Sequence, residues 1–172
     1  VELLAEDGST VGPGQQLAYI EGTVSSMFRA ERTALNFLQR MSGIATETAR
    51  YVHAVELFPA RILDTRKTLP AHRHLDKYAI RMGGGHNHRQ SLDDGILIKD
   101  NHIAAARVQG LNLEEVVRRA VKCAPKALQV EVEVETLEQA QHAIDAGAHI
   151  LLLDNMSLDD MRRVVGMAKG RA

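Results

Sequence analysis

"LQVEVEVETLEQAQHAIDAGAHILLLD", residues 128–154, places two short apolar runs on either side of a stretch with helical spacing. The first run alternates valine with glutamate, the second is leucine-rich, and residues 136–146 between them read as a helix. Strand, helix and strand in that order, with strands that are largely apolar, predict parallel strands covered by helices. The rhythm continues in both directions. "RILD" (61–64) and "GILIK" (95–99) are further short β-branched or leucine-rich runs, and helical stretches are predicted near 73–83, 112–124 and 158–169. The fold class is α/β. Only about four strand–helix units can be counted where a complete eight-unit barrel takes about 250 residues, so an open or incomplete α/β barrel is expected.

Upstream the texture changes. Residues 1–27 carry short apolar runs broken at Asp7-Gly8 and Gly12-Pro13-Gly14, the punctuation of tight turns, and read as β-rich. From Arg29 to Glu56, apolar residues such as Leu35, Leu38, Ile44 and Val52 recur at three and four, with an interruption at Ser42-Gly43. That pattern predicts two helices, or one kinked at Gly43. The chain starts within an apolar run at Val1 and stops just after a helical stretch at Ala172, so a fragment of a longer protein is expected.

Composition narrows the function classes. Of 172 residues, 45% are apolar and 25% charged, which is ordinary globular usage. Lys and Arg number 21 against 22 Asp and Glu, and a formal net charge of -1 offers no general attraction to nucleic acid or an anionic membrane. Any anion site must be local. The single cysteine, Cys123, cannot form an internal disulfide, and neither a signal peptide nor an 18-residue apolar run is present, so a soluble cytoplasmic protein is expected. "HNH" at 86–88 is too short to indicate a nuclease, and aromatics at 3% leave no basic and aromatic stripe for nucleic acid.

Each apolar run ends in chemistry: Asp64-Thr65-Arg66-Lys67, Lys99-Asp100-Asn101-His102, Glu131 with Glu133 and Glu135, and Asp154-Asn155. In barrels of parallel strands the carboxyl ends gather side chains from several strands into one site, so these clusters are expected to converge. Arg66 and Lys67 offer a planar fork beside a point charge, suited to carboxylate or phosphate, and Arg89 and Lys99 frame the next run. Gly83-Gly84-Gly85 follows a helical stretch rather than a strand and fits no nucleotide-loop spacing, so it reads as a helix stop that lets residues 86–89 approach a ligand. His72-x-His74 and His86-x-His88, with Asp154, open a rival reading as a zinc-dependent barrel hydrolase. Against it, Arg73, Arg81 and Arg89 stand close to every candidate histidine. The alternating Glu131, Glu133 and Glu135 are expected on one face of a strand, and with Asp154 they offer oxygens suited to Mg2+, which takes one or two carboxylates plus substrate phosphates and water.

"ERTALNFLQRMSGIAT", "TRKTLP", "GGGHNHR", "DGILIKDNH", "VEVEVET" and "LLLDN", in that order, resemble the quinolinate phosphoribosyltransferases, the decarboxylating enzymes of NAD biosynthesis. The resemblance covers essentially the whole chain. It implies phosphoribosyl transfer from phosphoribosyl pyrophosphate to quinolinate with Mg2+, giving nicotinate mononucleotide, carbon dioxide and pyrophosphate. It implies residues 1–27 as the remnant of an N-terminal α/β sandwich, 28–60 as connecting helices and 61–172 as part of a TIM-like barrel. Thr65, Arg66 and Lys67 match the family's substrate-binding segment, His88 and Arg89 its quinolinate carboxylate contacts, and Lys99 its second active-site lysine. Glu133 and Asp154 match acidic residues near ribose and metal, so Lys67, Lys99, Glu133 and Asp154 are the catalytic candidates. Arg32 matches an arginine that a homodimer sends into the neighbouring active site. Where the family reads Pro-Gly after this segment, the chain has Pro70-Ala71, which leaves that loop's conformation open. The family's 5-phosphate turns would lie beyond Ala172, so the fragment alone is expected to be inactive. A paralogue acting on another anion, such as the molybdenum-transport-associated relatives, is the nearest alternative.

Overall fold

The computed structural model describes residues 1–172, which form two compact units, Val1–Gln90 and Ser91–Ala172. The first contains β1 (Glu2–Leu3), β2 (Ala18–Tyr19), α1 (Val24–Ala54) and α2 (Arg73–Met82). β1 and β2 pair antiparallel with Glu2 opposite Tyr19, and turns fall at the expected punctuation, where Gly8 and Gly14 have φ of +80° and +75°. The stretch is nonetheless less β-rich than expected, with two residues per strand and α1 beginning at Val24.

α1 is a single helix that runs through Ser42-Gly43. A Cβ at Gly43 would meet nothing within 4 Å, so this glycine serves no close approach. An interior glycine costs about 1 kcal/mol relative to alanine, too little to interrupt a helix packed along α2. That packing depends on the glycine triplet. α2 stops in a left-handed turn, with Gly85 N–H donating to Ile80 O at 3.0 Å, Gly84 N–H to Arg81 O at 2.9 Å and Gly84 at φ +83°. A Cβ on Gly83 would lie 2.3 Å from Ala45 O and 2.7 Å from Thr48 Cβ, so the triplet both ends α2 and lets it close on α1. Across the same contact Arg40 on α1 grips Asp76 on α2 bidentately at 2.8 Å. Near the first turn of the chain, Tyr78 O–H donates to Asp7, the main cause of a phenol pKa raised above its ordinary value.

The second unit contains β3 (Ile96–Ile98), α3 (Asp100–Val108), α4 (Leu113–Cys123), β4 (Val130–Val134), α5 (Leu137–Asp145), β5 (Ile150–Leu153) and α6 (Leu158–Ala168). The strands form one parallel sheet in the order β3-β4-β5, with Ile98 opposite Val132 and Val132 opposite Leu151. Val130, Val132 and Val134 are fully buried and pack with Val117, Ala140, Ala143 and Val164 from the helices. α4, α5 and α6 each start where a polar side chain meets the first amides. Asn112 Oδ1 accepts from Glu115 N–H while Glu115 returns a bond to Asn112 N–H, both at 2.9 Å; Thr136 and Ser157 cap α5 and α6 likewise.

Two further expectations change. "RILD" is not a strand but a single parallel bridge, Leu63 to His86, made by His86 N–H to Ile62 O at 2.8 Å and Asp64 N–H to His86 O at 3.0 Å. And α3 occupies residues read from sequence only as a cluster of polar chemistry. No helix is long and apolar enough to cross a membrane.

Candidate active site

In the first unit the predicted site residues other than Arg32 lie in two segments that one carboxylate ties together. Asp64, whose side chain is 1% exposed, accepts from Lys77 Nζ at 2.5 Å, Asn87 Nδ2 at 2.6 Å and His88 N–H at 2.8 Å. Thr65, Arg66 and Lys67 follow Asp64 directly, and His88 and Arg89 follow Asn87, so sequence-distant members of the predicted site share this anchor. Thr65 Oγ1 accepts from Lys67 N–H at 3.0 Å, which fixes the turn and leaves the Lys67 side chain exposed. Arg66 is half-buried, and its Nε is shielded from water without a hydrogen-bond partner. A desolvated guanidinium donor left open is costly unless an acceptor reaches it, and an anionic ligand is such an acceptor.

The loop beyond Lys67 is also fixed. His72 N–H donates to Leu69 O at 3.0 Å, closing Leu69-Pro70-Ala71-His72 as a turn, with Ala71 at φ +63° in the left-handed region that favours glycine. The Pro-Ala departure therefore leaves the turn intact at the expense of strain in Ala71. Leu69 N–H donates to Asp76 Oδ2 at 3.2 Å, and Arg73 donates to Gln90 O at 3.3 Å. Arg32 sits exposed on α1.

In the second unit Lys99 stands between β3 and α3. Its N–H donates to His102 Nδ1 at 3.0 Å, and its ammonium lies 2.9 Å from Glu133 Oε2. The Glu133 side chain is 13% exposed, on the central strand of the sheet. Glu131 is buried as well, whereas Glu135 lies past the end of β4, exposed, so only two of the three carboxylates belong to the strand face. Asp154 follows β5, held by its N–H on Val134 O at 3.0 Å, and Asn155 beside it has φ +52° and donates to Asp154 Oδ2 at 3.0 Å. Among ionisable groups near these segments, Asp93 is held below the usual carboxylate range by a hydrogen bond from Ser91. No three His, Cys, Asp or Glu side chains are grouped to hold a metal ion, so the paired histidines of the zinc reading form no ligand set. Sequence reading missed the roles of Lys77 and Asn87; Lys77 is buried on α2 alongside Asp76 and Ala79, which no pattern in the sequence signals.

Residues 1–42 match the N-terminal domain of the quinolinate phosphoribosyl transferase family and residues 44–172 its C-terminal domain. Among curated proteins, the probable nicotinate-nucleotide pyrophosphorylase [carboxylating] of Synechocystis sp. is 41% identical over 98% of this chain and 56% of its own length. The nicotinate-nucleotide pyrophosphorylase [carboxylating] of Mycobacterium leprae is 47% identical over 87% and 51%. Among solved structures, NadC from Streptococcus pyogenes superposes with a TM-score of 0.89 at 44% identity, covering 98% of this chain and 57% of that one. The nicotinate-nucleotide pyrophosphorylase from Francisella tularensis gives 0.91 at 40%, covering 99% and 59%. The chain spans little more than half the length of these relatives, and across that span it belongs to the quinolinate phosphoribosyl transferase family.

Proposed function

We propose that the protein of which this chain is part transfers the phosphoribosyl group of phosphoribosyl pyrophosphate to quinolinate with loss of carbon dioxide, giving nicotinate mononucleotide and pyrophosphate. The reading rests on family membership, and the observation in this chain that carries it is the buried, unpartnered Nε of Arg66 in the segment matching the family's substrate-binding motif. In this reading Arg66, His88 and Arg89 receive the two quinolinate carboxylates, and Thr65 and Lys67 border the reacting centre. Orienting a dianion by several charge-assisted contacts brings its ring nitrogen to the anomeric carbon. The nitrogen lone pair forms the new bond as the anomeric C–O bond to pyrophosphate breaks. The resulting positive ring nitrogen stabilises the electron pair left on the adjacent carbon when carbon dioxide departs, and a proton then takes its place. No covalent nucleophile is needed, and Lys67 and Lys99 act as fixed positive charges.

Glu133 and Asp154 supply oxygens of the kind Mg2+ accepts, at the ends of adjacent strands. Bound Mg2+ would neutralise charge on the departing pyrophosphate. Because Lys99 already lies against Glu133, phosphate and water would have to provide most of the coordination, as is usual for this ion. Arg32 is assigned to the active site of a second copy in a homodimer, and the protein to the cytoplasm, in keeping with its single cysteine.

Product analysis of the full-length protein with quinolinate, phosphoribosyl pyrophosphate and Mg2+ tests the reading. Nicotinate mononucleotide and carbon dioxide are expected in equal amounts, and Lys67→Ala and Lys99→Ala should each lower kcat by about 10²-fold or more. Failure to form the product overturns the activity; near wild-type turnover in both variants removes the lysines from the mechanism.

A further inference from the structure

Buried Asp64 and Lys77 take no part in the chemistry above, yet they are the most deeply buried ion pair of the first unit, with side chains 1% and 2% exposed. A buried ion pair contributes little net stability compared with apolar side chains of similar volume, because desolvating two charges offsets most of their attraction. Its geometry points to another use. Asp64 Oδ1 accepts the N–H of His88 at 2.8 Å, while Lys77 Nζ, bonded to the same oxygen, donates to the C=O of His88 at 3.3 Å. Both peptide groups of one residue are thus gripped by the two halves of one pair. Asn87 closes the arrangement, its Nδ2 donating to Asp64 Oδ2 at 2.6 Å and to Lys77 O at 3.0 Å.

We infer that Asp64 and Lys77 are positioning residues that clamp the His88 backbone and set the register between Arg66 on one segment and His88 and Arg89 on the other. The inference rests on the proposed function for the identity of the ligand. Asp64 is two residues before Arg66, so the anchor of one carboxylate-binding segment is also the acceptor for the other. The two segments also meet at the Leu63–His86 bridge, a single ladder step, and the Asp64–Lys77 pair adds a further hold at His88. Because the pair is neutral as a whole, it orients the binding groups without adding to the positive charge that holds the ligand.

The test uses the full-length protein carrying Asp64→Asn with Lys77→Met, which removes both charges at nearly constant volume and frees the His88 carbonyl. The KM for quinolinate should rise roughly tenfold or more, with the KM for phosphoribosyl pyrophosphate within about twofold and the thermal midpoint close to wild type. An unchanged quinolinate KM, or equal losses in both KM values together with a fallen midpoint, overturns the clamp in favour of a purely structural pair. Asn87→Ala, an exposed position, keeps the question open to measurement should the double variant fold poorly; it should raise the quinolinate KM alone, and no change there counts against the clamp. If wild-type protein makes no nicotinate mononucleotide, the functional reading fails by itself. Amide exchange at residues 86–90 then judges the clamp: faster exchange in Asn87→Ala supports it, and identical exchange overturns it.

Discussion

Ala71 stands where the resemblance implies a glycine, and the turn it occupies shows the consequence. Its φ of +63° sits where a Cβ is disfavoured, and the His72 to Leu69 hydrogen bond requires that conformation. Ala71→Gly should therefore stabilise the protein by roughly 0.5–1 kcal/mol, relief of strain outweighing the greater freedom of glycine in the unfolded chain. Denaturant unfolding measures this, and a loss of stability would mean that the left-handed turn is not populated. Residue-level legibility followed the same line. Arg66 and Lys67 became candidates because a guanidinium and an ammonium directly after an apolar run suit an anion and Arg89 and Lys99 frame the next run. Lys77 and Asn87 did not, because a lysine inside an amphipathic helix and an asparagine in a loop are each ordinary until the fold brings both to Asp64.

The join between α1 and α2 depends on the absence of a side chain. Ala45 O belongs to the helix backbone and cannot move aside, so Gly83→Ala forces the two helices apart. Overpacking of this kind costs about 1–3 kcal/mol, and a lowered thermal midpoint of that order is expected. A neutral result would show that α2 can shift freely along α1. The helices 73–82, 113–123, 137–145 and 158–168 were legible almost to the residue because helical stretches stand out between the short apolar runs and the turns that flank them. α3 was hidden because its first turn, Asp100-Asn101-His102, is wholly polar and its start is fixed by His102 accepting from the Lys99 backbone. "RILD" looked like a strand from its residues, but strand identity also requires a partner, and His86 supplies only one rung. The Tyr78 bond to Asp7 has a clear pH signature. A phenol pKa raised in the folded state means that its contribution is complete below the unfolded value and fades as alkaline pH passes the folded one, so amide protection in residues 1–10, relative to the intrinsic base-catalysed rate, should fall only at alkaline pH.

At the scale of the molecule, an almost neutral chain carries Arg66, Lys67, Arg89 and Lys99 in the segments to which the proposed function assigns the doubly charged pyridine. The α/β class and the parallel order of strands followed from the repeated strand–helix rhythm and from the near-continuous apolar runs of β3 and β5. Glu131 and Glu133 are the exception within β4, and their low exposure on a central strand marks that face as reserved for charge. Recognition by fixed cations makes a demand that shape alone would not: the second carboxylate of the ligand must contribute to affinity. Calorimetric titration of the full-length protein with quinolinate and with nicotinate, which lacks one carboxylate, measures that contribution. Quinolinate should bind at least about tenfold more tightly, with the preference lost in Arg66→Gln; equal affinity for the two pyridines, or a preference that survives Arg66→Gln, would contradict it.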